Sequence, residues 1–137
     1  MKPVDLNILV VDDVDASVQA LVIALQSLGV LNILTSNSTD IAKNILQKSF
    51  ENNKPIHLIL CDHHMPGKAG HDFINFVRMN MTFRDVGYIT VTSDARRAVI
   101  VLYISAGADS FIVKPVNSDE LKTKMTQVLK AHGIQLG

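Results

Sequence analysis

Residues 6–13, with the sequence LNILVVDD, hold the pattern from which the fold is predicted. The run is short and mostly apolar, which is typical of a strand buried inside a sheet, and two aspartates follow where that strand ends. Apolar residues then recur at steps of three and four from Val14 to Leu28, and Gly29 follows. This spacing predicts an amphipathic helix with a glycine stop.

The same alternation of strand and helix continues along the chain. Four more strands are predicted at residues 31–35, 57–61, 88–92 and 110–113, and four more helices at residues 38–50, 71–79, 95–106 and from 117 onward. Ser38 and Asn117 are suited to cap the helices that follow them. Pro66, Gly67 and Gly70 predict a loop over residues 63–70. Five strands alternating with five helices predict a doubly wound α/β domain, with a parallel sheet covered on both faces.

Length and composition limit the broad class of protein. With 137 residues, 47% of them apolar, the chain is expected to form one domain over residues 1–137 with a core at about 5–132. Thirteen basic and thirteen acidic residues balance, which argues against direct nucleic-acid binding. No apolar run approaches the roughly 20 residues that span a membrane, and early acidic residues argue against a signal peptide. The single cysteine, Cys61, is expected to be a packed thiol in a cytoplasmic protein.

Functional groups of an open parallel sheet gather where its strands end. At those ends lie Asp12 and Asp13, Asp62, Thr92 and Lys114. Three carboxylates at one edge repel one another unless a cation is present, and oxygen ligands without cysteines favour Mg²⁺. A carboxylate can attack phosphorus and form an aspartyl phosphate. Mg²⁺, Lys114 and the Thr92 hydroxyl are suitable groups to bind the oxygens of such a phosphoryl group.

The same residues also have simpler interpretations. Asp12 and Asp13 could serve only to satisfy free N–H groups at the start of a helix. The presence of Asp62, Thr92 and Lys114 at the other strand ends makes that explanation weaker. His63 and His64 suggest a transition-metal site, yet they lack the helical i, i+4 spacing of paired ligands.

Four segments of the chain together resemble the receiver domains of two-component response regulators, most closely the stand-alone chemotaxis type. The matching segments are ILVVDD (8–13), LILCDHHMPGKAG (58–70), TVTSDA (90–95) and GADSFIVKP (107–115). Their order and spacing agree with that family over nearly the whole chain. The resemblance implies a flavodoxin-like sheet with strand order 2-1-3-4-5 and a phosphoprotein of signal transduction.

The resemblance also implies a role for each residue of the site. Asp62 would be the phosphoacceptor. Asp13 and Asp62 would bind Mg²⁺ directly, together with the backbone carbonyl of His64, while Asp12 would act mostly through a metal-bound water. Lys114 would pair with the phosphoryl group, and its bond to the following proline would be cis.

A second set of residues would transmit or tune the signal. In the family a threonine and an aromatic residue form a switch pair, here Thr92 and Phe111: Thr92 would turn towards the phosphoryl group and Phe111 would move inward. Phe111 lacks the hydroxyl that a tyrosine would offer there. His64 and Asp94, two residues beyond Asp62 and Thr92, occupy the positions that tune hydrolysis of the aspartyl phosphate.

The predicted helix at residues 95–106 is apolar all round, wider than one core stripe needs. Deep burial is the simple explanation. Because receivers use the surface of helix 4, strand 5 and helix 5 for partners, here residues 95–132, an exposed patch is favoured instead. We expect it to contain Ile100, Ile104 and Tyr103, and to bind an output protein or a second copy in a homodimer.

The favoured function is a switch that accepts a phosphoryl group from a histidine kinase or a phosphotransfer protein and catalyses its own phosphorylation and dephosphorylation. Output would pass by protein contact, without nucleic acid or membrane, from a stand-alone regulator or from a receiver cut from a longer regulator or hybrid kinase. A hydrolase of the haloacid dehalogenase type is less favoured, since it would need a second aspartate where His64 stands. A binding module that never takes phosphate is less favoured too, because the acceptor, the acidic pair and the lysine are all present.

Overall fold

Five parallel strands form one sheet in the order β2-β1-β3-β4-β5. This computed structural model describes residues 1–63 and 69–137, and for Ala69 the backbone alone. The strands are β1 (Asn7–Val11), β2 (Asn32–Ser36), β3 (Leu58–Cys61), β4 (Gly87–Thr92) and β5 (Ser110–Val113). The strand order and the all-parallel pairing confirm the predicted flavodoxin-like sheet.

Helices cover both faces of this sheet, as predicted for a doubly wound fold. They are α1 (Asp15–Ser27), α2 (Thr39–Glu51), α3 (Ala69–Met79), α4 (Arg97–Ala106) and α5 (Ser118–Ala131), preceded by a short 3₁₀ turn at Pro3–Asp5. Buried residues of α1 and α5 pack on one face of the sheet, and those of α2, α3 and α4 pack on the other. The strands β1, β3, β4 and β5 therefore alternate their side chains between two apolar cores, whereas the edge strand β2 is largely exposed.

The predicted helix caps are present. The Ser38 hydroxyl accepts a hydrogen bond from the N–H of Ile41 at the start of α2 (3.2 Å). The Asn117 side chain accepts from the N–H groups of Asp119 and Glu120 at the start of α5 (2.8 and 3.1 Å). Both side chains satisfy donors that have no partner inside the helix.

Two predicted helix starts were wrong. Helix α3 begins at Ala69 and includes Gly70, although the sequence predicts a loop there. Helix α4 begins at Arg97, two residues later than predicted, because Arg96 is extended and its N–H donates to the Asp94 carboxylate (3.2 Å). That local hydrogen bond competes with the helix and delays its start.

Helix α4 has one buried and one exposed side, and the exposed side differs in part from the predicted patch. Tyr103, predicted to belong to an exposed patch, is 1% exposed and lies in the core beside Val99. Ile100 is half-buried against the same core, whereas Ile104 is 44% exposed. Among the residues described, the large apolar side chains exposed on this helix are those of Val101, Leu102 and Ile104. Ile104 is therefore exposed as predicted, with Val101 and Leu102 beside it, whereas the inclusion of Tyr103 was wrong.

Within the described residues, no helix is both long enough and apolar enough to cross a membrane.

Candidate acidic site at the carboxyl edge of the sheet

Backbone hydrogen bonds position three residues just beyond the strands. The N–H of Asp12 donates to the last residue of β2 (3.0 Å), and that of Asp62 donates to the last residue of β1 (2.9 Å). The N–H of Lys114 donates to the last residue of β4 (2.8 Å). Each residue thus extends the hydrogen-bond ladder by one step, so the rigid sheet determines where its side chain begins.

Three carboxylates meet at this edge, as the strand ends predicted. Oxygens of Asp12, Asp13 and Asp62 all lie within 4.8 Å of one another. Asp12 and Asp62 are buried, at 1% and 4% exposure, whereas Asp13 is exposed. This trio is the one group of three or more His, Cys, Asp or Glu side chains with such ligand spacing in the described part of the chain.

Lys114 bridges two of these carboxylates. Its ammonium lies 2.8 Å from Oδ2 of Asp12 and 3.0 Å from Oδ2 of Asp62. It also donates to the hydroxyl of Ser17, on the first turn of α1, at 3.0 Å. Ser17 was missed by sequence reasoning, because a serine in a first helical turn is common and nothing in its spacing points across the sheet to Lys114.

Burial and ion pairing act in opposite directions on these groups. Burial raises the pKa of Asp12, although the hydrogen bond from Lys114 opposes that effect. Burial lowers the pKa of Lys114, but its hydrogen bonds to Asp12 and Asp62 outweigh this, and the net pKa is raised. Lys114 is therefore a cation, held next to the Asp12 carboxylate, whose charged form is disfavoured by burial.

The donor set suits a hard divalent cation. Three carboxylates carry a charge of −3 and Lys114 carries +1, so a dication would bring the described cluster to neutrality. Carboxylate oxygens near a partly open edge, without a cysteine or histidine in the set, match the preference of Mg²⁺. The residues present therefore fit the cation that the sequence predicted.

Cys61, at the end of β3, is not part of that donor set. It is 1% exposed, and burial raises the pKa of its thiol to about 12. The prediction of a packed thiol is confirmed.

The predicted switch residues lie on the neighbouring strands. Thr92 is fully buried at the end of β4, and its hydroxyl accepts a hydrogen bond from the N–H of Asp94 (3.2 Å). Phe111, on β5, is already inward at 8% exposure and packs in the core under α4. The Lys114–Pro115 peptide bond is cis, as the resemblance implied.

The two predicted tuning positions differ in what can be described. His64 lies outside the described residues, and so does its backbone carbonyl, which is predicted to bind Mg²⁺. Asp94 forms a two-pronged ion pair with Arg96, with contacts of 2.6 to 3.1 Å. Hydrogen bonds from Arg96 hold the pKa of Asp94 well below its usual range. Asp94 is therefore a permanent anion beside the site.

Comparison with known proteins places this arrangement in a family. Residues 8–126 match the family described as "Response regulator receiver domain". The chain belongs to this family. The match runs from the second residue of β1 to the middle of α5, so the acidic trio, Thr92 and Lys114 fall inside it. Receiver domains generally bind Mg²⁺ at such an acidic pocket, and they interact with histidine kinases or phosphotransfer proteins and with output partners.

Individual receiver relatives have different lengths. The "Chemotaxis protein CheY homolog" of Campylobacter jejuni subsp. jejuni is 28% identical over 90% of this chain and 92% of its own length. The "Probable transcriptional regulator ycf29" of Cyanophora paradoxa is 31% identical over 93% of this chain, which spans 58% of that protein. A CheY-like receiver domain protein from Methanospirillum hungatei JF-1 superimposes with a TM-score of 0.76 at 25% identity, over 93% of this chain and 96% of its own.

Proposed function

We propose that this receiver accepts a phosphoryl group onto Asp62 from a histidine kinase or a phosphotransfer protein, with Mg²⁺. The added charge would then shift a conformational switch on the face formed by α4, β5 and α5, within residues 95–132. A single buried cysteine suits the reducing cytoplasm, where we expect this exchange to take place.

The observation that carries this proposal is the bridge made by Lys114. Its ammonium contacts both Asp12 and Asp62 at hydrogen-bond distance, across the middle of the sheet. A phosphoryl group on Asp62 would bring oxygens to the side chain that Lys114 already contacts. The lysine is therefore in place to neutralise charge as the group transfers, which is the main requirement for phosphoryl transfer.

The chemistry at Asp62 is a displacement at phosphorus. A carboxylate oxygen of Asp62 forms a bond to phosphorus while the bond from phosphorus to the donor nitrogen or oxygen breaks. Lys114 binds a phosphoryl oxygen, and the Thr92 hydroxyl turns to bind another. Water later attacks the phosphorus, which releases inorganic phosphate and restores the carboxylate. The protein thus catalyses both its own phosphorylation and its own dephosphorylation.

Asp13 and Asp62 would hold Mg²⁺ directly, supported by Asp12. When bound, Mg²⁺ supplies positive charge that offsets the charge on the phosphoryl oxygens. The carboxylate spacing of the described trio and its charge of −3 support this assignment.

Output would pass through protein contacts. Ile104 on α4 is exposed with Val101 and Leu102, and these side chains form an apolar surface on the switch face. An output protein or a second copy of this chain would bind there. The chain spans 92% of the Campylobacter relative, as a stand-alone regulator would. It spans 58% of the Cyanophora relative, as a receiver within a longer protein would.

Small phosphodonors test this function directly. Incubation with acetyl phosphate or phosphoramidate and Mg²⁺ should add the mass of one phosphoryl group. Asp62→Asn should take up none, whereas the control Asp85→Asn, at an exposed loop position, should behave as the parent protein does. An unmodified parent protein, or uptake by Asp62→Asn, would contradict the proposal. Steady turnover of small phosphomonoesters would indicate a hydrolase instead.

A further inference from the structure

Tyr103 connects α4 to the residue that follows the phosphoacceptor. Its hydroxyl lies 2.9 Å from Nδ1 of His63, and the two rings meet edge to face with centroids 5.0 Å apart. Tyr103 is 1% exposed, and His63 is the hydrogen-bond partner of its hydroxyl among the described residues. A buried hydroxyl needs a partner, so this contact holds both side chains in place.

The start of α3 is shaped around the same hydroxyl. A Cβ on Gly70 would lie 2.7 Å from the Tyr103 oxygen, and 3.2 and 3.3 Å from the carbonyl oxygens of Asp62 and His63. Any side chain at position 70 would therefore push against both the tyrosine and the backbone of the phosphorylation site. The glycine lets α3, α4 and the backbone after β3 meet at one point.

The far side of the His63 ring faces an anion. Its Nε2 lies 3.9 Å from a carboxylate oxygen of Asp94, which is held by Arg96. The Tyr103 hydroxyl and the Asp94 carboxylate therefore approach the two different ring nitrogens of His63. The imidazole is thus fixed between a residue of α4 and the residue two positions beyond Thr92.

We propose that Tyr103 is a positioning residue for phosphoryl transfer, acting through His63. By holding the His63 ring, its hydroxyl fixes the backbone on which Asp62 sits and links that backbone to α4. Val101, Leu102 and Ile104 flank Tyr103 in α4 and lie on the exposed side of the helix. A shift at the phosphorylation site would therefore reach the proposed output surface through the contact between His63 and Tyr103. This inference rests on the proposed function at Asp62.

The test removes one hydroxyl and keeps the ring. Tyr103→Phe should slow phosphorylation by acetyl phosphate with Mg²⁺ about fivefold, the effect expected for one lost hydrogen bond. Tyr88→Phe is the matched control, because Tyr88 is the other tyrosine, is fully buried, and its hydroxyl interacts with the Cys61 thiol. The control should phosphorylate at the parent rate.

Two further readouts distinguish positioning from a general loss of stability. The ¹⁵N resonance of His63 Nδ1 should move in Tyr103→Phe and stay in place in Tyr88→Phe. In a His63→Ala background, Tyr103→Phe should cost almost nothing more, because the two residues act as one unit. A fivefold cost that persists without His63 would overturn the proposal.

The outcomes separate this inference from the proposed function. If the parent protein takes up no phosphoryl group, the function itself fails. If the parent is phosphorylated and Tyr103→Phe matches Tyr88→Phe in rate and in the His63 resonance, only the role of Tyr103 fails. Should Tyr103→Phe not fold, His63→Ala alone must show the fivefold slowing, and a parent rate there would overturn the inference.

Discussion

Arg78, on α3, holds together the loops at the end of the sheet opposite the acidic site. Its Nε donates to the carbonyl of Gly107 (2.9 Å), and one Nη donates to the carbonyls of Arg84 and Val86 (2.7 and 2.6 Å). The other Nη pairs with Asp109 at 3.0 Å. One guanidinium thus joins α3 to the segments that enter β4 and β5, and we expect Arg78→Ala to destabilise the fold strongly.

The magnitude follows from which of these bonds are partly buried. The bonds to Gly107 and Val86 are partly buried, and each joins a charged donor to a carbonyl, worth about 1.5 to 3 kcal/mol. The bonds to the Arg84 carbonyl and to the Asp109 carboxylate are both exposed, so water can replace them and they add little. The loss should therefore be about 3 kcal/mol, a large part of the roughly 5 to 15 kcal/mol that stabilises such a domain.

Urea unfolding measures this loss. With a slope of about 2 kcal/mol per molar urea, the midpoint of Arg78→Ala should fall by about 1.5 M at an unchanged slope. Arg84→Ala is the control, because it removes the same charge from an exposed side chain in the loop that Arg78 contacts, and it should change stability by about 0.5 kcal/mol or less. A loss in Arg78→Ala within about 1 kcal/mol of the control would refute this reasoning.

Three further predictions test the packing and the charges. Gly107→Ala should destabilise more than Gly133→Ala in thermal unfolding. Both glycines have positive φ (116° and 81°), but only at Gly107 would a Cβ meet a side chain, at 2.8 Å from Arg78; equal losses would contradict this. Cys61 should resist thiol reagents until the protein is unfolded, because it is 1% exposed and its pKa is raised to about 12; rapid labelling of the folded protein would be inconsistent with that burial. Without divalent cations, Asp12→Asn should be more stable than the parent at pH 7. Since the pKa of Asp12 is raised by folding, its charged form opposes folding at neutral pH, and the advantage should vanish as the pH falls below about 4 and the parent is protonated too; an advantage independent of pH would argue against this cause.

The two ends of the sheet differ in their electrostatics. At the carboxyl ends, like charges are brought together and burial works against ionisation. At the amino ends, Arg78 and His132 both contact Asp109, which also accepts from the N–H of Tyr88. Stabilising contacts at one end can offset the electrostatic strain at the other, which is the usual relation between a site and its scaffold.

The fold could be predicted because its signals are local and repeated. Apolar runs such as residues 8–11, the caps Ser38 and Asn117, and the stop at Gly29 each agree with a parallel α/β sheet, and together they leave little choice. The acidic site followed from the same pattern, since the ends of parallel strands must share one edge.

Contacts made across the fold could not be predicted in the same way. Helix α4 is apolar all round, so its sequence gives no direction to Tyr103, and only its packing against α3 and His63 turns that side chain inward. Ser17 likewise contacts Lys114 from 97 positions away. Such pairings depend on the angle between elements, which periodicity does not contain.

The central claim, that Asp62 carries the phosphoryl group, is tested most directly by locating the modification. After treatment with acetyl phosphate and Mg²⁺, borohydride reduces an aspartyl phosphate to the alcohol of homoserine and releases phosphate. Peptide mass spectrometry should then find homoserine at position 62 and aspartate at positions 12 and 13. Homoserine at another aspartate, or none in protein that has gained the phosphoryl mass, would contradict the account.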